Sequence, residues 1–531
     1  MSSNQLDNKK PVNTPSRRQY WLEPAIVALL ILLFLFQVIG SVAFQNATCD
    51  ERVYFGVGRD ILRTGEWSAK GAILHPPLSY YVNSLPLLFL SDAEGSWAKV
   101  EGGYYFLAFS PFHLFSCRLT SLIVFGVPLL IVIYLWAREL YDRRAAFVAL
   151  VLAVFSPNLL AHSGLITPDL PLTCVGFTAM YLFWRYRRVR SWGRGVAWSV
   201  VLGLAMLTKV SAVLFLVSVI ILGLLSCIRG ERNARWIAGV MAGFVIAWLV
   251  ISLGYGFAGV LDFSGKAAVV QKVPDQTLSR AVAWMSAPFL PLPYLRGAGM
   301  QWQIGQEGWP AFLMGELSKT GWWYYFVIAF LIKVPVAVQL ILLASVVSLW
   351  WRRSPWLDEA WLIVPPIVFL GFFSFIGRVN IGLRYILPGF PFLWVFASKI
   401  ASVRGRAGAI FRVATLALFV WLAISCVMIF PHYLAYFNEF VGGPANGYKY
   451  LVDSNLDWSQ NRSMAEEYAK KHGAALEPRV LPRSGRVVVC ANHLQGIFDP
   501  DGYRVLREYY KPIGHIGYNW LIFDLDREAK K

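Results

Sequence analysis

The sequence predicts an α-helical polytopic membrane protein of about eleven transmembrane helices, with a long first external loop and a small external C-terminal α/β domain. Three observations predict this class. The chain is 57% hydrophobic and 15% charged, where soluble domains carry about 25% charge. Apolar runs long enough to cross a bilayer recur as far as about residue 430. A less apolar stretch follows them, in which apolar residues alternate as in short strands.

The first run, Trp21 to Phe44, follows a basic tail over residues 1–20 that holds Lys9, Lys10, Arg17 and Arg18. It is too long for the hydrophobic region of a secretory signal, and no A-x-A-like site comes after it. Further runs begin near Leu119, Ala145, Pro168, Gly195, Val210, Trp236, Trp322, Trp361, Tyr385 and Ala409. With the N-terminus in the cytoplasm, alternate connections are cytoplasmic, and these hold the basic residues. They are Arg138, Arg143 and Arg144, then Arg185, Arg187, Arg188, Arg190 and Arg194, then Arg229, Arg232 and Arg235, then Arg352 and Arg353, then Lys399, Arg404, Arg406 and Arg412. This is the positive-inside pattern of a multi-pass protein of the cell's inner membrane.

The formal charge of +18 is therefore largely topological, and scattered loop arginines predict no nucleic-acid partner. The same threading divides the chain into a membrane domain over 21–430 and an external domain over 431–531. External loops are expected at about 45–116 and 257–321. Neither G-x-G-x-x-G nor G-x-x-x-x-G-K-[ST] occurs, so no fold for a soluble nucleotide is predicted. The six cysteines form no C-x-x-C pair, and a bridge from Cys49 to Cys490 is topologically open. Sequons stand at Asn46 and Asn461.

Ionisable residues are placed with a pattern. Asp50 and Glu51, in "NATCDERVYF", lie just past the first span. A solvated pair closing that helix is one reading, although negative charge there opposes the helix dipole. Asp169 in "HSGLITPDLPL" sits where another span meets the outer face, and so do Lys209 in "LAMLTKVSA", Lys333 in "LIKVP" and Arg384 in "GRVNIGLRYILP". Each alone reads as a snorkelling side chain. Together, at one depth and on one face, they predict a shared polar cavity, because ionisable groups near lipid turn toward a bundle interior.

In order along the chain, the Asp-Glu pair, "HPPL", the Asp before "LPL", "LTK", "LIKVP", "LRYILPGFPFL" and "NEFVGGPANGYKYLVDSNLDWSQ" resemble a bacterial glycosyltransferase of the GT-C fold. The similarity is to the branch related to protein O-mannosyltransferases and aminoarabinose lipid A transferases, and it runs over essentially the whole chain. The resemblance implies sugar transfer, with inversion, from a polyprenyl-phosphate donor to a protein, lipid or glycan hydroxyl on the outer face of the membrane. By motif, Asp50 resembles the general base, Glu51 the neighbour that orients the acceptor, and Asp169 a second acid lining the cavity.

That chemistry needs a carboxylate to take the acceptor's proton and cations to hold the leaving phosphate. Arg384 suits the phosphate best, since its planar fork binds bidentately, with Lys209, His75 and Lys333 as further members of the cradle. His75 stands where the lipid A branch has a Lys, and Ser79-Tyr80 stands where the O-mannosyltransferases have Gly-Lys. No metal is expected, although related oligosaccharyltransferases use a divalent ion, for which Asp50, Glu51 and Asp169 offer hard oxygen ligands. The segment Asp453 to Asn461 suits sugar hydroxyls and a sugar face, and turn chemistry explains it as well. A transporter or flippase of a lipid-linked substrate is the alternative; it would place charges nearer mid-bilayer and repeat its halves.

Overall fold

The structure is a computed structural model that describes residues 17–65, 74–90, 97–99, 105–107, 110–230, 234–271, 287–350 and 356–527. The tail holding Lys9 and Lys10, the loop residues Arg232, Arg352 and Arg353, and parts of the loops at 45–116 and 257–321 lie outside the described residues. Six helices are long and apolar enough to cross a membrane: Leu22–Val42, Pro111–Leu140, Val210–Ile228, Trp236–Gly254, Trp356–Phe375 and Gly405–Ile429. Two bent pairs bring the number to eight, Arg143–Val154 with Pro157–Ser163 at 63°, and Tyr325–Lys333 with Val336–Trp350 at 108°. Each break falls at a proline, Pro157 or Pro335, which has no N–H to continue the preceding helix.

Among the described residues, six helices, or up to eight with the bent pairs, thus meet the length and composition of a span, where about eleven spans are expected. The helix Asp169–Arg188 starts on an acid, ends on Arg185, Arg187 and Arg188, and buries most of its surface. The helix Trp192–Met206 has 15 residues, short of the roughly 20 that cross a bilayer. The run from Tyr385 folds into two 3-10 turns and the nine-residue helix Phe390–Ser398. These shorter elements form the bundle's centre, where Phe392 packs 4.8 Å from Phe177 and 5.7 Å from Trp136 between ring centroids. The outer helix Gly405–Ile429 instead leaves Ile410, Val413, Leu416, Val420 and Val427 exposed, as a helix facing hydrocarbon does.

Past residue 461 the chain builds an α/β unit. Its four strands run in the order Ala475–Leu476, Arg486–Cys490, Trp520–Asp524 and Gly514–Ile516, the first pair parallel and the others antiparallel. One face of the sheet, with Val488, Trp520 and Ile522, packs on Ala465 of the helix Arg462–His472. The other, with Val487, Val489, Leu521 and Phe523, joins the main core. All six cysteines are free, so the Cys49–Cys490 bridge is not formed. The sequon residue Asn461 is buried and donates to Asn519 Oδ1 (2.7 Å).

Candidate active site

Asp50 and Glu51 do not close the first helix. They open the next one, Cys49–Thr64, whose partial positive N-terminus favours two acids. Thr48 and Glu51 form a capping box: Thr48 Oγ1 accepts from the Glu51 N–H and Glu51 Oε2 accepts from the Thr48 N–H (2.8 Å). Glu51 is fully buried and saturated. Arg118 Nε donates to Oε1 (2.8 Å), Arg118 Nη2 to Oε2 (2.6 Å), and the Ile166 N–H to Oε1 (2.9 Å). Arg118 also donates to the carbonyls of Gln45 (3.1 Å) and Asn46 (2.8 Å). Glu51 therefore registers the end of the first helix against the loop that leads to Asp169. Its oxygens are not presented to an acceptor, which corrects the orienting role expected of it.

Asp50 turns the other way and keeps 30% of its side chain exposed. Arg384 Nη1 donates to Asp50 Oδ2 (3.0 Å) and lies 3.7 Å from Asp169 Oδ2. Asp169 is buried and accepts at Oδ1 from Lys209 Nζ (2.7 Å). The "HPPL" loop docks on the "LTK" loop through the Leu78 N–H to Leu207 O (2.8 Å) and Ser79 Oγ to Thr208 O (3.2 Å). This brings His75 in, with Nε2 3.1 Å from the Tyr54 hydroxyl. Burial, then the nearby Lys209, lowers His75 to about 3, so it enters the cluster as a neutral hydrogen-bonding ring and not as a counter-charge.

Lys333 lies elsewhere. It is buried at the 108° break, where its Nζ donates to Leu434 O (2.7 Å) and Asn455 O (2.5 Å). Donating to these two carbonyls, it ties the broken helix to the C-terminal segment, whereas it was expected in the phosphate cradle. Asn455 in turn accepts at Oδ1 from the Leu383 N–H (2.9 Å) and donates to the Tyr325 hydroxyl (2.8 Å), fixing the turn that carries Arg384.

Four contributors were not legible as site residues. The Trp458 ring covers the Arg384 guanidinium at 4.2 Å, and the Tyr385 ring lies 4.8 Å from Lys209 Nζ. Tyr54 in "NATCDERVYF", Tyr385 in "LRYILPGFPFL" and Trp458 in "DSNLDW" lie in stretches singled out for other residues, while Arg118 joins from a position that carries no motif. Asp453 of that segment faces the cluster too: burial lifts its carboxyl to about 7, against the pull of Arg384.

The three acids considered as metal ligands do not converge. Glu51 is committed to Arg118, and a guanidinium already lies between Asp50 and Asp169, so the arrangement suits an anion in front of Arg384 better than a cation among the acids. Several buried polar atoms here have no hydrogen-bond partner among the described residues: Asp169 Oδ2, Arg384 Nε, His75 Nδ1, Asn83 Oδ1 and Thr167 Oγ1. Asn83 and Thr167 line a narrow cleft with Tyr54, Ser79, Tyr80, Ile166 and Pro168. Unmatched buried polar atoms are costly, and several of them gather here.

The fold over which these residues are spread is similar to that of solved membrane-embedded transferases. The structure of ArnT from Cupriavidus metallidurans bound to undecaprenyl phosphate is similar at a TM-score of 0.50, over 96% of this chain and 98% of that one, with 13% identity. The oligosaccharyltransferase of Archaeoglobus fulgidus in its apo form gives a TM-score of 0.49 at 14% identity, over 78% of this chain and 56% of that one. In sequence, residues 105–255 match the family described as dolichyl-phosphate-mannose-protein mannosyltransferase. Residues 105–255 are thus similar in sequence to that family, and the chain is similar in fold to ArnT. No curated protein matches it in sequence.

Proposed function

We propose that this chain transfers a sugar from a polyprenyl-phosphate donor to an acceptor hydroxyl at the outer face of the membrane, with inversion. The observation that carries the reading is the part-exposed Asp50 held by Arg384 beside the buried Asp169–Lys209 pair. The undecaprenyl phosphate bound to the Cupriavidus ArnT supports a donor of that class.

In the proposed reaction Arg384 exchanges Asp50 for the donor phosphate, a charge-assisted and potentially bidentate contact. Asp50, released and reached from solvent, takes the acceptor's proton as its oxygen attacks the anomeric carbon. The bond from that carbon to the phosphate oxygen breaks on the opposite side, and the electron pair leaves with polyprenyl phosphate. Arg384 and Lys209 meet the charge that develops there. Asp169 keeps both cations in place and is a positioning residue, as is Glu51. Trp458 seals the guanidinium from water, which strengthens its field.

The two broken helices favour one rival, a transporter of a lipid-linked substrate, since such proteins build sites at helix breaks. Lys333 fills the sharper break with carbonyl contacts, which leaves that break without a substrate charge to bind. The deciding experiment incubates purified protein in detergent with a panel of polyprenyl-phosphate sugars and an acceptor extract. Release of polyprenyl phosphate that Asp50→Asn abolishes supports the transferase, whereas donor movement across proteoliposomes without release supports the transporter.

A further inference from the structure

The α/β unit past residue 461 holds a second constellation, remote in role from the charge cluster. Glu477 follows the strand Ala475–Leu476, Cys490 ends the neighbouring strand Arg486–Cys490, and His493 stands three residues on, in the helix Ala491–Leu494. The parallel pairing of those strands, continued by the Glu477 N–H to Val488 O (2.9 Å), brings the three together. Their ligand atoms all lie within 4.8 Å of one another, and it is the one such group among the described residues.

We propose that Glu477, Cys490 and His493 form a binding site for a single divalent transition-metal ion of the zinc class. A thiolate, an imidazole nitrogen and a carboxylate oxygen are the donor types that such an ion takes, and three protein ligands leave a fourth position for water. The ligand atoms approach closely enough for a tetrahedral ion at about 2.0–2.3 Å from each, once the 2.6 Å contact of His493 Nδ1 with Glu477 Oε1 opens slightly. The thiol is buried and the imidazole half-exposed, so an ion enters past His493 and displaces the thiol proton to solvent. A surface ion pair explains Glu477 and His493; it does not explain a buried thiol placed against both.

The site would act on the charge cluster through Asn492, which lies between two ligands. Its N–H donates to Asp457 Oδ2 (3.1 Å), its amide to Asp457 O (3.0 Å), and its Oδ1 accepts from the Asp453 N–H (2.7 Å). The next residue after Asp457 is Trp458, the cover of Arg384. An ion that fixes the Cys490–His493 turn therefore braces the loop that closes the guanidinium.

The test uses the full-length chain in detergent, stripped by chelator and titrated with Zn2+ or Co2+ alone. One equivalent should bind, with a thiolate-to-Co2+ absorption band and a raised Tm. His493→Ala, at a half-exposed position that threatens folding least, should weaken binding on the order of 100-fold. Cys490→Ser should remove the absorption band, and Asp50→Asn should leave binding intact, which separates this site from the charge cluster. Absence of a thiolate band in the wild type, or unchanged stoichiometry and affinity in a folded His493→Ala protein, overturns the proposal.

Discussion

The helix Asp169–Arg188 carries a buried charge cluster at each end, and the two ends are built differently. At its last turn, Asp358 accepts from Trp184 Nε1 (3.0 Å), Arg187 Nη2 (2.6 Å) and Arg188 Nη2 (2.9 Å). Glu359 beside it accepts from the Tyr141 hydroxyl (3.2 Å) and Lys399 Nζ (3.3 Å). Every carboxylate oxygen there is met, and the Arg187 guanidinium lies 6.0 Å from the Trp361 ring centroid. At the first turn, about 30 Å away at 1.5 Å per residue, Asp169 Oδ2, Arg384 Nε and His75 Nδ1 have no hydrogen bond among the described residues, and Asp169 Oδ2 has only the 3.7 Å approach of Arg384 Nη1. Saturation is what a fastening requires. Incomplete satisfaction, in a cluster of both charges open at Asp50, is what a ligand site requires.

The comparison is broken most directly by neutralising one acid at each end. Asp50→Asn should lower transfer by roughly 10²–10⁴ with little change in Tm, because it removes a general base from a part-exposed position. Asp358→Ala should do the reverse: about 3–5 kcal/mol of stability is lost, since Arg187 and Arg188 are left without their counter-charge, while turnover per folded molecule persists. Turnover and thermal unfolding measured on the same preparations decide it. If Asp50→Asn unfolds the protein and keeps its turnover, the first turn is a fastening too. Glu51→Gln belongs with Asp358 by this logic, although it adjoins Asp50, because Arg118 saturates it.

A second, smaller effect is expected at Arg384. Charge-assisted hydrogen bonds to a phosphate contribute about 1.5–3 kcal/mol, so Arg384→Ala should reduce donor use by about one to two decades. The loss should appear in donor KM before acceptor KM. Trp458→Ala should cost less, about fivefold, corresponding to a cation–π contact of about 1 kcal/mol. An Arg384→Ala protein with normal donor affinity would return that residue to snorkelling.

How much of this was legible before the structure depended on whether a residue's role is local. The apolar runs, the alternation in "RVVVC" and the placement of Asp50, Asp169, Lys209 and Arg384 at element ends are local features, and these four meet in the structure. Glu51 and Lys333 look the same in sequence and differ in what they face. A partner 67 residues away saturates Glu51, and carbonyls more than 100 residues away engage Lys333. No window of sequence contains those partners. The span count differs for a related reason: length and hydropathy do not distinguish a helix that faces lipid from an equally apolar one shortened by proline or buried at the bundle's centre. Trp458 sat inside a quoted motif, but its contact with Arg384 crosses from the α/β segment to the membrane bundle.

The smallest effect sharpens the comparison through pH. Asp453 lies in the loop that closes the unsaturated end, and burial raises its carboxyl from 3.8 to about 7 while Arg384 opposes the shift and Asp50 adds to it. Between those two values the folded chain holds a proton that the unfolded chain has released. Stability contributed by this group is therefore present at low pH and declines as pH rises through the window, levelling off above about 7. Asp453→Asn, uncharged throughout, should remove that part of the slope in Tm between pH 4.5 and 8.5 and leave the protein relatively more stable at the alkaline end. Donor affinity should follow the same titration, because a protonated Asp453 withdraws one negative charge from beside the phosphate's position near Arg384. Should the wild type and Asp453→Asn show the same Tm slope and the same pH dependence of donor KM, Asp453 would be ionised across the range. The under-satisfied end would then carry a fixed charge balance, set by Asp50, Asp169, Arg384 and Lys209 alone.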